Sequence, residues 1–246
     1  MQKMEIYRAF GKSGVEGFIN YHLTPHRDNS VSKPYGRLVY ALFVMILMLS
    51  ALACSTTNEQ LAFKDGDILF RGQLDGSLSQ AIDAVTQTDS SHHYTHVGVV
   101  EVEQDTVWVL HAAPGKGVCK ELLADFCRFG QDAVVVGHYR IRGIDSKAVD
   151  RALGLANSLL GQPYNYSYLM EDEGYYCSEF VYEVFSGDSI FQLAPMTFID
   201  PSSDSFHDGW VQHYADLGIP VPEGKPGCNP NGMAANESLV FLRYLE

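Results

Sequence analysis

At 246 residues, 46% of them hydrophobic, the chain is long enough for one packed domain or a small pair. Its 14 Tyr and 13 Phe exclude a disordered composition, and a net charge of −13 excludes a partner held by phosphate neutralisation, so no nucleic acid is expected. Residues 1–53 hold 6 Lys/Arg and 3 Asp/Glu, which leaves 11 basic and 27 acidic residues, a net of −16, from Cys54 onward. That part is unsuited to charge-driven adhesion to anionic headgroups.

Near the N-terminus, Lys33 and Arg37 precede an uncharged apolar run from Leu38 to Leu49, and Ser50, Ala51 and Ala53 lead to Cys54. A basic flank, a short apolar core and small residues describe an export signal, and the run is short for a membrane span. Its end, Ala-Leu-Ala-Cys, resembles a bacterial lipoprotein signal, in which the cysteine becomes the lipidated first residue. A conventional signal peptide or a single anchor is the alternative. Residues 1–35 are long and mixed in charge for a segment before a signal, as an overlong translation start would explain. The expectation is an exported protein held to the membrane of the bacterial cell envelope through Cys54, with 54–62 as a linker and 63–246 as one domain.

Along that domain, "FKDGDILFRG" (63–72) predicts a strand after an Asp-Gly turn, and Leu78, Ile82 and Val85 predict a helix over 77–88. "YTHVGVVEVEQDTVWVLHAA" (94–113) predicts a hairpin with its tip at Glu103–Thr106. "VCKE" reads as a further short strand, 121–130 as a short helix and 132–141 as a buried strand. Ala148, Ala152, Leu155 and Leu159 predict a helix over 146–161, capped by Ser146 and stopped by Gly161. After the loop "QPYNYSY", a helix runs from Cys177 to about Ser186. Residues 187–236 are loop-rich, with one helix at "HDGWVQHYADLG", and 238–245 closes as a strand. The pattern is α+β, an antiparallel sheet with helices packed against it.

Phe180, Val181, Val184 and Phe185 form one apolar stripe, so Cys177 stands at a helix start, where free N–H groups and the dipole favour a thiolate. A small buried hydrophobe is the competing reading. So is a disulfide: with Cys54 assigned to lipid, Cys119, Cys127, Cys177 and Cys228 allow one or two bridges of open connectivity. A nucleophilic thiol needs a base, usually an oriented histidine. If Gln104 and Asp105 form a two-residue loop, Gly98 falls opposite His111 and His96 opposite Ala113. Side-chain alternation then puts His96, Gly98 and His111 on one face, the histidines on the order of 6–7 Å apart at Cβ. No metal or cofactor is expected: no Cys-x-x-Cys occurs, "HHYTH" (92–96) reads as a polar loop, and "GKG" (115–117) is a turn.

"DGDILF", "THVGVV", "VLHAAPGKGV", "GQPYNYS" and "YYCSEFVYEVF" together resemble the permuted papain-like amidases of the NlpC superfamily, YaeF/YiiX type, over about residues 63–185, plus the tail with "PEGKPG". In that family the histidine strand precedes the cysteine helix. The resemblance implies a permuted papain-like fold and a cysteine hydrolase, with Cys177 as nucleophile, His96 as base and His111 as the third polar group. Many members carry Glu at that third position; His111 is closer to the lecithin retinol acyltransferase relatives. Asp67 and Glu179 are further carboxylates open to the role, although Glu179 more simply serves the helix N-terminus. Tyr164 and Asn165 are expected to contact substrate, and Tyr94, Tyr164 and Tyr176 to include residues of the cleft wall. The implied reaction is cleavage of an amide, in a cell-wall peptide or related acyl-amide. Thioester-forming acyl transfer or lipid hydrolysis is the alternative, and an inactive ligand-binding module the second.

Overall fold

The periodicities of residues 63–246 assemble into one six-stranded sheet covered by helices. The computed structural model describes Met45 and residues 62–72, 76–88, 93–129 and 132–245. The rest of the signal-type segment, Cys54, most of the expected linker and His92 lie outside these. The chain divides into two units, Met1–Ala53 and Cys54–Glu246, and the architecture below is that of the second. Among the described residues no helix is long and apolar enough to cross a membrane.

The elements are β1 (Ile68–Gly72), α1 (Ser77–Thr86), β2 (His96–Glu103), β3 (Thr106–Ala113), β4 (Gly117–Leu122), β5 (Val135–Ile141), α2 (Ser146–Ser158), α3 (Cys177–Val184), α4 (Asp208–Leu217), α5 (Pro230–Ala234) and β6 (Leu239–Leu245). The sheet order is β6-β5-β1-β2-β3-β4, and every neighbouring pair is antiparallel. This is the α+β fold expected. Gln104 and Asp105 both take positive φ, 47° and 67°, which makes the two-residue type I′ turn that matches strand twist. Glu103 therefore faces Thr106, and the ladder runs back to Val99 opposite Leu110. It ends one pair short of Gly98 and His111, so His96, Val97 and Gly98 keep partners on β1 alone.

The differences from expectation have local causes. The N-cap of α2 is Asp145, whose carboxylate accepts from the N–H of Lys147 at 2.8 Å and of Ala148 at 3.0 Å, displacing Ser146 into the first turn. Its buried stripe is Ala148, Val149, Ala152, Leu153 and Ala156, with Leu155 and Leu159 at the margin. The helix expected over 121–130 shrinks to one turn, Leu123–Phe126, because β4 continues to Leu122 and Phe126 then turns fully inward against Leu69, Val100, Val109 and Val136. The strand expected over 132–141 is split for the same reason: Asp132–Ala133 pairs with Arg128–Phe129, and β5 begins at Val135. In the loop-rich stretch 187–236, α5 and two short bridges accompany the expected α4.

One sheet face, with Ile68, Phe70, Val97, Val99, Leu110 and Ala112, packs on α2 and on Phe180, Val181 and Val184 of α3. The other carries Leu69, Val100, Val109, Val136 and Phe126. A separate aromatic cluster, with Ala81, Tyr168, Tyr176, Phe198, Trp210 and Tyr214, ties α1 to α4. Gly98 stands where β2 and β3 part, and a Cβ there would lie 2.6 Å from Val109 Cγ1, 3.1 Å from Leu110 O and 3.2 Å from His111 Cβ. Gly98→Ala should therefore push β3 outward and cost about 1–3 kcal/mol, the usual range for overpacking. A denaturation midpoint unchanged from the parent protein would contradict that.

Candidate active site

The splayed end of β2 is where the reactive side chains gather. Cys177 is the first residue of α3, and its thiol, 5% exposed, comes to the backbone N–H of Val97, the residue after His96. Burial pushes the thiol up to about 11, although the N–H groups of Val97, Ser178 and Cys177 itself and the charge of Arg71 pull it down. The N–H groups at the helix start favour the thiolate as expected, but desolvation outweighs them.

The two histidines meet. His96 Nε2 lies 2.6 Å from His111 Nδ1, with the rings edge to face and both against Phe126. A third member, which the sequence reading did not include, is Glu121. Because β4 runs on to Leu122, Glu121 stands opposite Val109, on the face and diagonal of His111. Its Oε2 is 3.2 Å from His111 Nε2. The bond from His111 holds the Glu121 carboxyl down at about 2, with Lys116 adding to the effect against burial. Burial lowers both imidazoles, His96 well below its ordinary value and with help from Arg71, so both are neutral near pH 7.

These charge states fix the protons. An ionised Glu121 only accepts, so His111 donates from Nε2 and accepts at Nδ1; His96 then donates from Nε2. The remaining lone pair of the chain is on His96 Nδ1. Arg71, the cross-strand partner of His96, completes the cluster. Its guanidinium lies over Phe126 and donates to Phe126 O and Arg128 O, while its buried Nε has no hydrogen-bond partner among the described residues. Its sequence signal was only the parity of a short strand.

The other candidates are placed as follows. Asp67 is taken up elsewhere, 2.7 Å from His138 Nε2 and bound by two nitrogens of Arg140 at 2.7 Å each. Glu179 accepts from the N–H of Tyr176 and from Asn165 Nδ2, each at 3.1 Å, and so caps α3. Neither carboxylate joins His111. Tyr164 and Tyr176 line a cavity of about 260 Å³ that reaches Cys177, together with Tyr168, Phe191, Phe198 and Trp210. Among the described residues, no Asp, Glu, Lys, Arg or His lines it. Asn165 and Tyr94 are not in its wall. The Asn165 amide is spent on Leu169 O, Glu179 and Ser167, and Tyr94 packs among Phe70 and Tyr139 in the core. Cys119, Cys127, Cys177 and Cys228 are all free thiols, so no disulfide links them. His93 of the "HHYTH" loop is paired with Asp83 at 2.9 Å.

A helix-start cysteine whose thiol meets the N–H of the residue after a strand histidine, on an antiparallel sheet with the histidine strand first, matches the pattern of the permuted papain-like cysteine amidases. Residues 62–242 match the family described as permuted papain-like amidase enzyme, YaeF/YiiX, C92, and the chain belongs to it. It is 29% identical over 121 residues to YiiX of Escherichia coli (strain K12), itself uncharacterized; that match covers 49% of this chain and 56% of the relative's length. Its fold is similar to the crystal structure of YiiX from Escherichia coli O157:H7, which is titled a metalloprotein. The TM-score is 0.62 at 22% identity, over 74% of this chain and 97% of that one.

Replacing Glu121 with Gln keeps its volume but removes the charge that orders the two imidazoles. Glu121→Gln should slow iodoacetamide alkylation of Cys177 at neutral pH by roughly 10²-fold, the scale of a lost base. Mass spectrometry of the Cys177 peptide reads this against the other thiols. A parental rate would reduce Glu121 to a surface neighbour.

Proposed function

We propose that this protein is an exported, lipid-anchored cysteine hydrolase that cleaves amides whose acyl part is apolar. The observation that carries the substrate class is the cavity against Cys177, lined by aromatic and methionine side chains and, among the described residues, by no charged one. A carboxylate-rich cell-wall peptide would meet no compensating charge there, whereas an apolar acyl chain replaces water at a gain of about 0.8 kcal/mol per methylene.

In this mechanism His96 Nδ1 takes the proton of Cys177, and the thiolate attacks the carbonyl carbon. The N–H groups of the first turn of α3 and of Val97, which already face the sulfur, are placed to bind the oxyanion. The amine leaves with the proton from His96, and an acyl-thioester remains on Cys177. Water, deprotonated by the same imidazole, then releases the acid. Glu121 and His111 act at a distance: they hold His96 in the tautomer whose free lone pair is Nδ1. The same cavity favours a second reading, in which a lipid amine or alcohol rather than water accepts the acyl group. Lipidation at Cys54, argued from the signal-like segment before it, would place the site at a membrane surface in the cell envelope, where acyl substrates are at hand.

Two outcomes are expected. With N-acyl anilides of increasing chain length, kcat/KM should rise about fourfold per methylene until the cavity is full. Intact mass should show the acyl group on Cys177, and Cys177→Ala should abolish both signals. Faster cleavage of charged muropeptides, or turnover by Cys177→Ala, would overturn the proposal. The second concerns pH: burial holds the His96 imidazole below its ordinary value, so the base stays neutral, and competent, as pH falls through 6.5. The acidic limb of kcat/KM should therefore inflect below about 6.5, the value of a free histidine. An inflection above it would mean that another group carries the reaction.

A further inference from the structure

The end of the relay has a second possible occupant. His111 Nε2, Cys119 Sγ and a carboxylate oxygen of Glu121 lie within 4.8 Å of one another. His111 and Cys119 are direct cross-strand partners of β3 and β4, and Glu121 is two residues beyond Cys119 on the same face, so the backbone itself gathers the three donors. Nε2 is 3.2 Å from Glu121 Oε2 and 3.5 Å from Cys119 Sγ. Around a tetrahedral zinc ion, adjacent N, O and S donors stand roughly 3.3–3.7 Å apart, given the usual bond lengths. Imidazole, thiolate and carboxylate together suit zinc or cobalt rather than magnesium or calcium, and three protein ligands leave a position for water. The exposed Lys116, which pairs with Glu121, can swing out as a cation arrives.

We propose that His111, Cys119 and Glu121 form a divalent-metal site, suited to zinc, whose occupation switches the relay off. A metal on Nε2 leaves His111 its single proton on Nδ1. With 2.6 Å between the rings, His96 Nε2 must then accept rather than donate. Neutral His96 consequently carries its own proton on Nδ1, the nitrogen that serves as base. The protons balance: Cys119 and His111 Nε2 each release one to water, the Nε2 proton of His96 passes to His111 Nδ1, and His96 Nδ1 takes one from water. One proton is released per metal bound. The metal does not touch Cys177; it reverses the direction of two hydrogen bonds.

The switching half rests on the cysteine-hydrolase reading, whereas the site does not, and the experiment separates them. Chelator-stripped protein is titrated with Co²⁺ and followed by absorption, which needs no substrate. The parent protein and Cys177→Ala should both develop visible d–d bands and a thiolate-to-cobalt charge-transfer band, which Zn²⁺ then bleaches. Cys119→Ala and Cys119→Ser should lose the charge-transfer band while keeping a native circular-dichroism spectrum. In the parent protein Zn²⁺ should slow alkylation of Cys177 by at least tenfold. In Cys119→Ala, compared with its own metal-free rate, that slowing should disappear. No charge-transfer band in the parent protein, or a band that survives Cys119→Ala and vanishes in Cys177→Ala, overturns the site. A cobalt-binding parent protein whose Cys177 alkylates at the metal-free rate overturns the switch.

Discussion

The turn at Gln104–Asp105 is the constraint from which the site follows. Two residues at positive φ commit β2 and β3 to a single register, and the short Ala113–Gly117 connection commits β4 to β3. A slip of one residue in either ladder would send His111 or Glu121 to the opposite face. With the register as it stands, Arg71, His96, His111 and Glu121 fall in a line across four strands on one face, while the helix that carries Cys177 packs on the other. The Cys177 thiol meets the Val97 N–H where β2 has lost its β3 partner, so the break in the ladder is as much a part of the site as the ladder.

Burial dominates the electrostatics of that place. It raises the thiol, lowers both imidazoles and leaves Glu121 as the ionised member of the relay. A carboxylate directly on His96 would make an imidazolium easy to form; an intervening neutral ring passes on orientation more than charge. The arrangement favours a base that is ready to accept a proton but does not hold one at rest. Arg71 biases the same outcome, since its cation disfavours a second positive charge on either ring.

Much of this was legible in the sequence because the relevant spacings are short. The hairpin parity of His96, Gly98 and His111 needed only a two-residue loop, and the stripe from Phe180 to Phe185 placed Cys177 at a helix start. Glu121 was missed because it fell where the expected strand "VCKE" met a helix read from the apolar spacing of residues 121–130; the pull of the core on Phe126, a tertiary effect, keeps the chain in a strand one residue longer. Arg71 could not be found without the pairing of β1 with β2 across more than twenty residues. The desolvation of Cys177 was out of reach for a related reason: helix-start N–H groups can be read from local sequence, whereas the burial that outweighs them comes from residues distant along the chain. Asn165 was a plausible loop contact until its four hydrogen-bonding positions were seen to be spent within its own turn and on Glu179.

A protonated, nearly inaccessible thiol also has a redox meaning. Oxidants attack thiolates that they can reach, and Cys177 offers neither the charge nor the exposure. It is held in no disulfide, and the other thiol of its cavity wall, Cys228, is likewise free and held protonated by burial, so neither is poised for oxidation at rest. The burial that makes Cys177 a poor nucleophile alone therefore acts as its preservative, and reactivity is confined to the moments when a substrate fills the cavity and a base takes the proton.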